Sequence, residues 1–268
     1  MSTPDFVQLT TPTALGDGRY AIDIPDGWQQ GRGLFGGFVM ALLARAIRAE
    51  EDEAGRALRS LTAELPGPTQ PGRAELRVEV LRRGNGVTTT AVRLLQGGEL
   101  MAHAVGVLGR TRVQDRDQVQ LTPPALTRWQ DVPVAPVRPP LGPVFAQHCE
   151  FRPVGNLPFS RSTADPVAQG WFLLRAPGAT WDEAEVVAVI DGYWPALLTS
   201  EPMPRPVVTL AFTFQALRPA HTLDRSAPLF HRARTLAASD GYLVEQRELW
   251  TPAGELVALN QQTMAIVK

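Results

Sequence analysis

One order of elements is written twice along this chain, and that repeat constrains the fold more than any other feature. Residues 34–48 (LFGGFVMALLARAIR) are apolar with alanine and leucine at helical spacing, behind the glycine turn at Gly31 and Gly33. Candidate strands follow at 58–65, 73–83, 87–95 and 100–110, with turn signals at 84–86 and at Gly97 and Gly98. The second half predicts a short helix after Asp191, strands at 207–214, 231–238 and 242–250, a turn at 252–254 and a last strand at 255–267. Landmarks superpose at near-constant offsets. GGELMA at 97–102 lies over AGELVA at 253–258 (156), Asn85 and Gly86 over Asp240 and Gly241 (155), Gly36 over Gly192 (156), and Ser60 and Leu61 over Thr209 and Leu210 (149).

A unit of one apolar helix and an antiparallel meander leaves the helix uncovered unless the sheet wraps it. Two tandem copies can join their sheets edge to edge, which removes two edges that would invite aggregation. The expectation is therefore an α+β body of two helix-wrapped sheets: a first unit over 1–117, a proline-rich linker over 118–145 and a second unit over 146–268. Seven prolines between Gln118 and Pro143, with little apolar periodicity, predict an extended connection over a surface. The 26 basic and 27 acidic residues leave a net charge of -1, which gives no electrostatic footprint for nucleic acid or an anionic membrane. A single cysteine, Cys149, excludes an intramolecular disulfide and suits the cytoplasm. Neither a secretory leader nor a membrane span is expected, because no sufficiently long apolar run is present.

Several motifs together carry a family resemblance. They are LFGGF at 34–38, VEVLRRGNG at 78–86, the segment around Asp191, VTLAFTF at 208–214 with Arg218 and Pro219, and GELVALNQQ at 254–262. In that order they resemble the acyl-CoA thioesterase II (TesB-like) family, whose double-hotdog members hydrolyse acyl-CoA to free acid and coenzyme A in lipid metabolism. The resemblance implies a cofactor-free enzyme with an acyl-CoA substrate, associated as a homodimer or homotetramer. It also implies a catalytic trio, an aspartate at the start of the second helix, a threonine or serine on the next strand and a glutamine on the last, which falls on Asp191, Thr209 and Gln262. Gln261 is adjacent, but strand alternation turns the pair to opposite faces, and the count from Gly254 favours Gln262.

Thioester hydrolysis needs an activated water and donors where charge develops on oxygen. In this reading Asp191 takes the proton while Thr209 and Gln262 hold the water. Backbone N–H groups at a helix start, Gly36 and Gly37 or Gly192 and Tyr193, are the candidate oxyanion donors. Asp191 ahead of Gly192 and Pro195 also reads as a helix N-cap, and the two roles are compatible. The offsets place Phe35, Ser60 and Gly106 opposite the trio, which predicts one active site per chain. The four histidines show no metal-type spacing, so no metal site is expected. The string Gly31, Gly33, Gly36 lacks the preceding strand of a dinucleotide site, and Cys149 beside His148 is a weak nucleophile candidate. Two other readings remain: a non-catalytic acyl-CoA or lipid-binding protein, and a hotdog dehydratase or hydratase. The latter relies on a histidine near the central helix, and neither 35–48 nor 191–200 contains one.

Overall fold

A computed structural model of the chain describes residues 4–51, 55–113, 118–160 and 166–267. The first half runs α1 (Phe6–Thr10), β1 (Thr13–Gly16), β2 (Arg19–Ile24), β3 (Gln29–Gln30), β4 (Gly33–Leu34), α2 (Gly36–Glu50), β5 (Ala57–Glu64), β6 (Gly72–Arg83), β7 (Val87–Gln96) and β8 (Glu99–Gly109). The second half runs β9 (Cys149–Pro153), β10 (Val167–Leu174), α3 (Glu183–Asp191), β11 (Val207–Ala216), β12 (Leu229–Ser239), β13 (Tyr242–Trp250) and β14 (Leu256–Ile266). Among the described residues twelve strands form one antiparallel sheet in the order β1-β2-β6-β7-β8-β5-β11-β14-β13-β12-β10-β9. The two halves of that order are mirror images about the β5–β11 pair. This is a double hotdog, an α+β body in which each half-sheet curls around its own helix.

The duplication extends to irregularities of the ladders. The bulge between Leu58 and Ser60 in β5 recurs between Thr209 and Ala211 in β11, and that between Val80 and Arg82 recurs between Thr235 and Ala237. A bulge turns a strand locally and is hard to shift without flipping its side chains to the other face. The matching positions therefore show that both units curl at the same places.

Helix α2 is apolar nearly all round, and Phe38, Leu42, Leu43, Ala46 and Ile47 are fully buried. A helix of that kind is stable only when enclosed. Each large aliphatic or aromatic side chain removed from water contributes about 1.5–3 kcal/mol. Helix α3 runs antiparallel to α2 in close contact: Gly36 at the start of α2 lies beside Asp191 at the end of α3, while Arg45 reaches Asp182 at 2.7 Å.

Three expectations are corrected here. The second helix ends at Asp191 and does not begin after it. Asp182 is the N-cap, accepting the Glu185 N–H at 2.9 Å, with Glu183 and Glu185 in the first turn where the helix dipole favours acidic groups. The Gly36–Gly192 superposition fails for the same reason, because Gly192 lies beyond a helix end and Gly36 at a helix start. The proline-rich stretch also does more than cross a surface. Leu121, Leu126, Trp129 and Val132 join Trp171, Phe230, Trp250 and Leu256 in a second apolar cluster, and Trp171 Nε1 donates to the Thr127 carbonyl at 3.0 Å. Residue 117, where the sequence reading ends the first unit, lies outside the described residues. Among the described residues no helix is long and apolar enough to cross a membrane.

Candidate active site

Asp191, Thr209 and Gln262 come from three elements, α3, β11 and β14, and form one hydrogen-bonded chain. Thr209 Oγ1 donates to Gln262 Oε1 at 2.8 Å, and Gln262 Nε2 donates to Asp191 Oδ1 at 2.7 Å and to Asn260 Oδ1 at 2.9 Å. Those partners fix the glutamine amide in one orientation, since its oxygen accepts on one side and its nitrogen donates on the other. Gln262 faces inward and is buried, whereas Gln261 is exposed. The Asp191 side chain is 8% exposed.

The carboxylate sits between two helix ends of opposite sign. Its own helix terminates there, and the partial negative charge of that end disfavours an anion. The start of α2 faces it from the other side, and the Gly37 N–H donates to the carboxylate. Arg247 closes the third side, donating from Nη1 to Asp191 Oδ1 at 3.1 Å and to the Asp191 and Ile190 carbonyls at 3.0 and 3.3 Å. Burial pushes the Asp191 carboxyl above the ordinary carboxylate range, against the pull of Arg247, Gln262 and the Gly37 N–H. An acid that must be poised to take a proton near neutral pH gains from such a balance.

The glycines predicted as oxyanion donors separate into two kinds. A Cβ on Gly36 would stand 2.6 Å from Asp191 Oδ2, so the helix start reaches the carboxylate only because residue 36 has no side chain. The Gly37 N–H is occupied by that carboxylate. Gly192 and Tyr193 do not stand at a helix start: the Gly192 N–H donates to the Val189 carbonyl at 3.1 Å, and the buried Tyr193 hydroxyl donates to the Gln169 carbonyl at 3.0 Å. Their assignment as helix-start donors is therefore corrected. Cys149 is fully enclosed and burial pushes its thiol up, so it presents no thiolate. Among the described residues no cluster of three His, Cys, Asp or Glu is arranged to hold a metal.

The opposite half has no counterpart of this chemistry, and two of the three mirror positions differ from those the sequence offsets indicate. The ladders pair Thr209 with Met264 as they pair Leu58 with Leu108, so Leu58 and not Ser60 mirrors the threonine. Gly106 does mirror Gln262, each lying opposite the equivalent residue on the neighbouring strand, Thr90 or Glu245. A Cβ on Gly106 would lie 2.9 Å from Ile47 Cδ1 and 3.6 Å from Leu58 Cδ1. Ile47 thus holds the place of Asp191, while Phe35 caps α2 and stacks on Phe145 at 4.1 Å. The mirrored trio is Ile47, Leu58 and Gly106, all apolar.

Sequence reasoning missed Arg247, Glu245, Asn260 and His231, which lie behind the trio and are all buried. A signal for two of them was present. Glu245 and Arg247 share the inward face of β13 with Leu243 and Leu249, and charged residues at such positions contradict the alternation expected of a half-buried strand.

Fold and site together define a double-hotdog protein with a polar centre between helices α2 and α3. The family profile of the acyl-CoA thioesterase N-terminal domain matches residues 24–109, and that of the acyl-CoA thioesterase C-terminal domain matches 124–266. The chain belongs to the acyl-CoA thioesterase family. Similar solved structures establish the fold over the full length. A hot dog fold protein of unknown function from Alicyclobacillus acidocaldarius has a TM-score of 0.91 at 22% identity, covering 100% of this chain and 99% of that one. The acyl-CoA thioesterase II of Mycobacterium marinum has a TM-score of 0.74 at 17% identity, covering 98% of each chain. The tesB protein of Mycobacterium avium subs paratuberculosis has a TM-score of 0.78 at 15% identity, again covering 98% of each chain. No curated protein sequence matches the chain.

Proposed function

We propose that the protein hydrolyses an acyl-CoA thioester to a free carboxylic acid and coenzyme A by direct attack of water, at one site per chain. The observation that supports this most is the bonded chain Thr209–Gln262–Asp191 in a fold half whose mirror is closed by Ile47, Leu58 and Gly106. Asp191 accepts a proton as the water oxygen adds to the thioester carbon. Thr209 Oγ1, whose own hydrogen goes to Gln262, accepts the second hydrogen of that water. Gln262 holds Thr209 and Asp191 in place, with its two N–H donors spent on Asp191 and Asn260. The Gly36 N–H at the helix start is the donor for the carbonyl oxygen as it becomes negative. Collapse of the tetrahedral intermediate breaks the C–S bond, and the proton held by Asp191 passes to the leaving sulfur, which releases coenzyme A as the thiol and restores the carboxylate. No acyl-enzyme is invoked, since the Thr209 hydroxyl donates to an amide oxygen, which is too weak a base to take its proton and activate it as a nucleophile.

The dehydratase reading is disfavoured by His231. That ring is fully buried, bonds the Ile190 carbonyl through Nε2 at 2.9 Å, and is held neutral by burial and by Arg247. It pairs with no carboxylate through that nitrogen. The test is thiol release from short, medium, long and aromatic acyl-CoA esters. Failure of every ester, together with ligand-induced thermal stabilisation by one, replaces hydrolysis with simple binding.

Two expectations accompany this reading. The rate rises with pH on the acid side as Asp191 ionises, and the midpoint lies above that of an ordinary carboxylate because burial raises its pKa. A pH profile of kcat/KM checks it, and a rate already flat from the ordinary carboxylate range upward counts against Asp191 as the base. Association is expected to be through β1. The outer side of β9 is covered by the Ala135–Phe151 bridge, whereas all four residues of β1 are exposed at the other sheet edge. Light scattering should give a homodimer, or a homotetramer built from it, and a monomer refutes the edge contact.

A further inference from the structure

Arg247 is 2% exposed and makes a buried ion pair with Glu245, whose Oε1 accepts its Nε at 2.8 Å. The other Glu245 oxygen accepts the Ala196 N–H at 2.6 Å. Taking a guanidinium and two carboxylates out of water is costly unless their donors and acceptors are matched, and apolar residues of similar volume often serve a core as well. The other half of this molecule demonstrates that alternative. Arg247 opposite Asn260 is mirrored by Val92 opposite Ala104, Glu245 opposite Gln262 by Thr90 opposite Gly106, and His231 opposite Leu249 by Leu76 opposite Leu94. The same ladders, with the same bulges, close there without charge. The buried ions accompany the aspartate and are not a requirement of the fold.

We infer that Arg247, braced by Glu245, is the positioning residue of the site: it locks the Asp191 carboxylate through Oδ1 and keeps it charged, leaving Oδ2 toward Gly36 for the water. This rests on the reading of Asp191 as the base. A guanidinium suits the task because its fixed fork bonds several acceptors at once. Here Nη1 satisfies two end carbonyls of α3 and the carboxylate, while Nε points back to Glu245. The groups that reach Asp191 are Arg247 and Glu245 from β13, Gln262 from β14 and the first turn of α2 at Gly36 and Gly37. Behind them, His231 from β12 bonds the Ile190 carbonyl, and Asn260 and Thr209 bond Gln262. Glu245 opposes ionisation of Asp191, His231 is neutral, and Arg247 is the cation that favours it.

The test compares the pH profiles of thiol release by the full-length protein and by Arg247→Met, Arg247→Gln, Arg247→Lys and Asp191→Asn, using the best-hydrolysed ester of the panel. Arg247→Met is expected to lower kcat on the order of 10²-fold, the scale of a misplaced catalytic group. Its acid limb moves to higher pH, because the charge that favours the carboxylate is gone. Arg247→Lys restores the limb toward that of the natural protein but not the full rate, since lysine keeps the charge and loses the fork. Arg247→Gln replaces the methionine variant, with the same criterion, if that variant does not fold. An uncharged variant that loses rate with its limb unmoved, or keeps the natural rate, overturns the inference. The base reading fails separately if Asp191→Asn retains hydrolysis.

Discussion

Asp191→Asn is expected to reduce kcat for thiol release by about 10²–10⁴-fold, the usual contribution of a positioned general base, with the folded state intact. The substitution is nearly isosteric, and the amide oxygen can still accept from Gln262 Nε2 and Arg247 Nη1, which bond Oδ1 in the natural protein. What disappears is the capacity to take a proton. Gln262→Ala is expected to fall in the same direction for a different reason, since it removes the partner of both Thr209 and Asp191 and leaves their buried polar atoms short of bonds. Thiol-release kinetics beside thermal unfolding separate lost chemistry from lost structure. Near-natural hydrolysis by Asp191→Asn with an unchanged melting temperature would remove the aspartate from the mechanism.

Gly37→Ala is expected to destabilise the protein by about 1–3 kcal/mol, the range for forcing volume into a close-packed interior. At this chain length each kcal/mol lowers Tm by roughly 2–4 °C. A Cβ at residue 37 would stand 2.6 Å from the Ala188 carbonyl oxygen of α3 and 2.8 Å from Phe35 Cε1, and backbone cannot step aside as a flexible side chain can. The helices must separate, and the site lies between them. Gly36→Ala makes the informative contrast. Its Cβ would meet Asp191 Oδ2 at 2.6 Å and otherwise only the Asp191 Cγ at 3.7 Å. That variant should keep most of its stability and lose rate on the order of 10²-fold, because the carboxylate is displaced from its working position. Equal losses of Tm in the two variants would contradict the different neighbours of the two glycines.

Much of this architecture is legible without coordinates, because the features that carry it are local and repeated. Apolar residues at helical spacing in 36–50 and the turns at Gly97 and Gly254 each follow from the chain's own stereochemistry. The second helix was misplaced because Asp191, Gly192 and Pro195 imitate a helix start as well as Asp182 does, and only the Glu185 N–H at 2.9 Å from the Asp182 side chain distinguishes them. Strands β1 and β9 escaped because edge segments of four and five residues carry little periodic signal. The offsets failed at the helix because the connection from α3 to β11 is longer than that from α2 to β5, so landmarks on either side drift apart.

By itself the sequence determined the duplicated unit, the antiparallel meanders and the enclosed helix, since each depends on patterns within a few residues; the residues of the polar trio came from the family resemblance that the ordered motifs carry. Tertiary structure alone decided that Asp191 closes a helix, that the start of the other unit's helix faces it, and that Arg247 and Glu245 stand behind it. Those relations join β13, α2 and α3 across wide separations in the chain. Their energies come from burial and from charge at close range, which exist only once the two units have closed on each other.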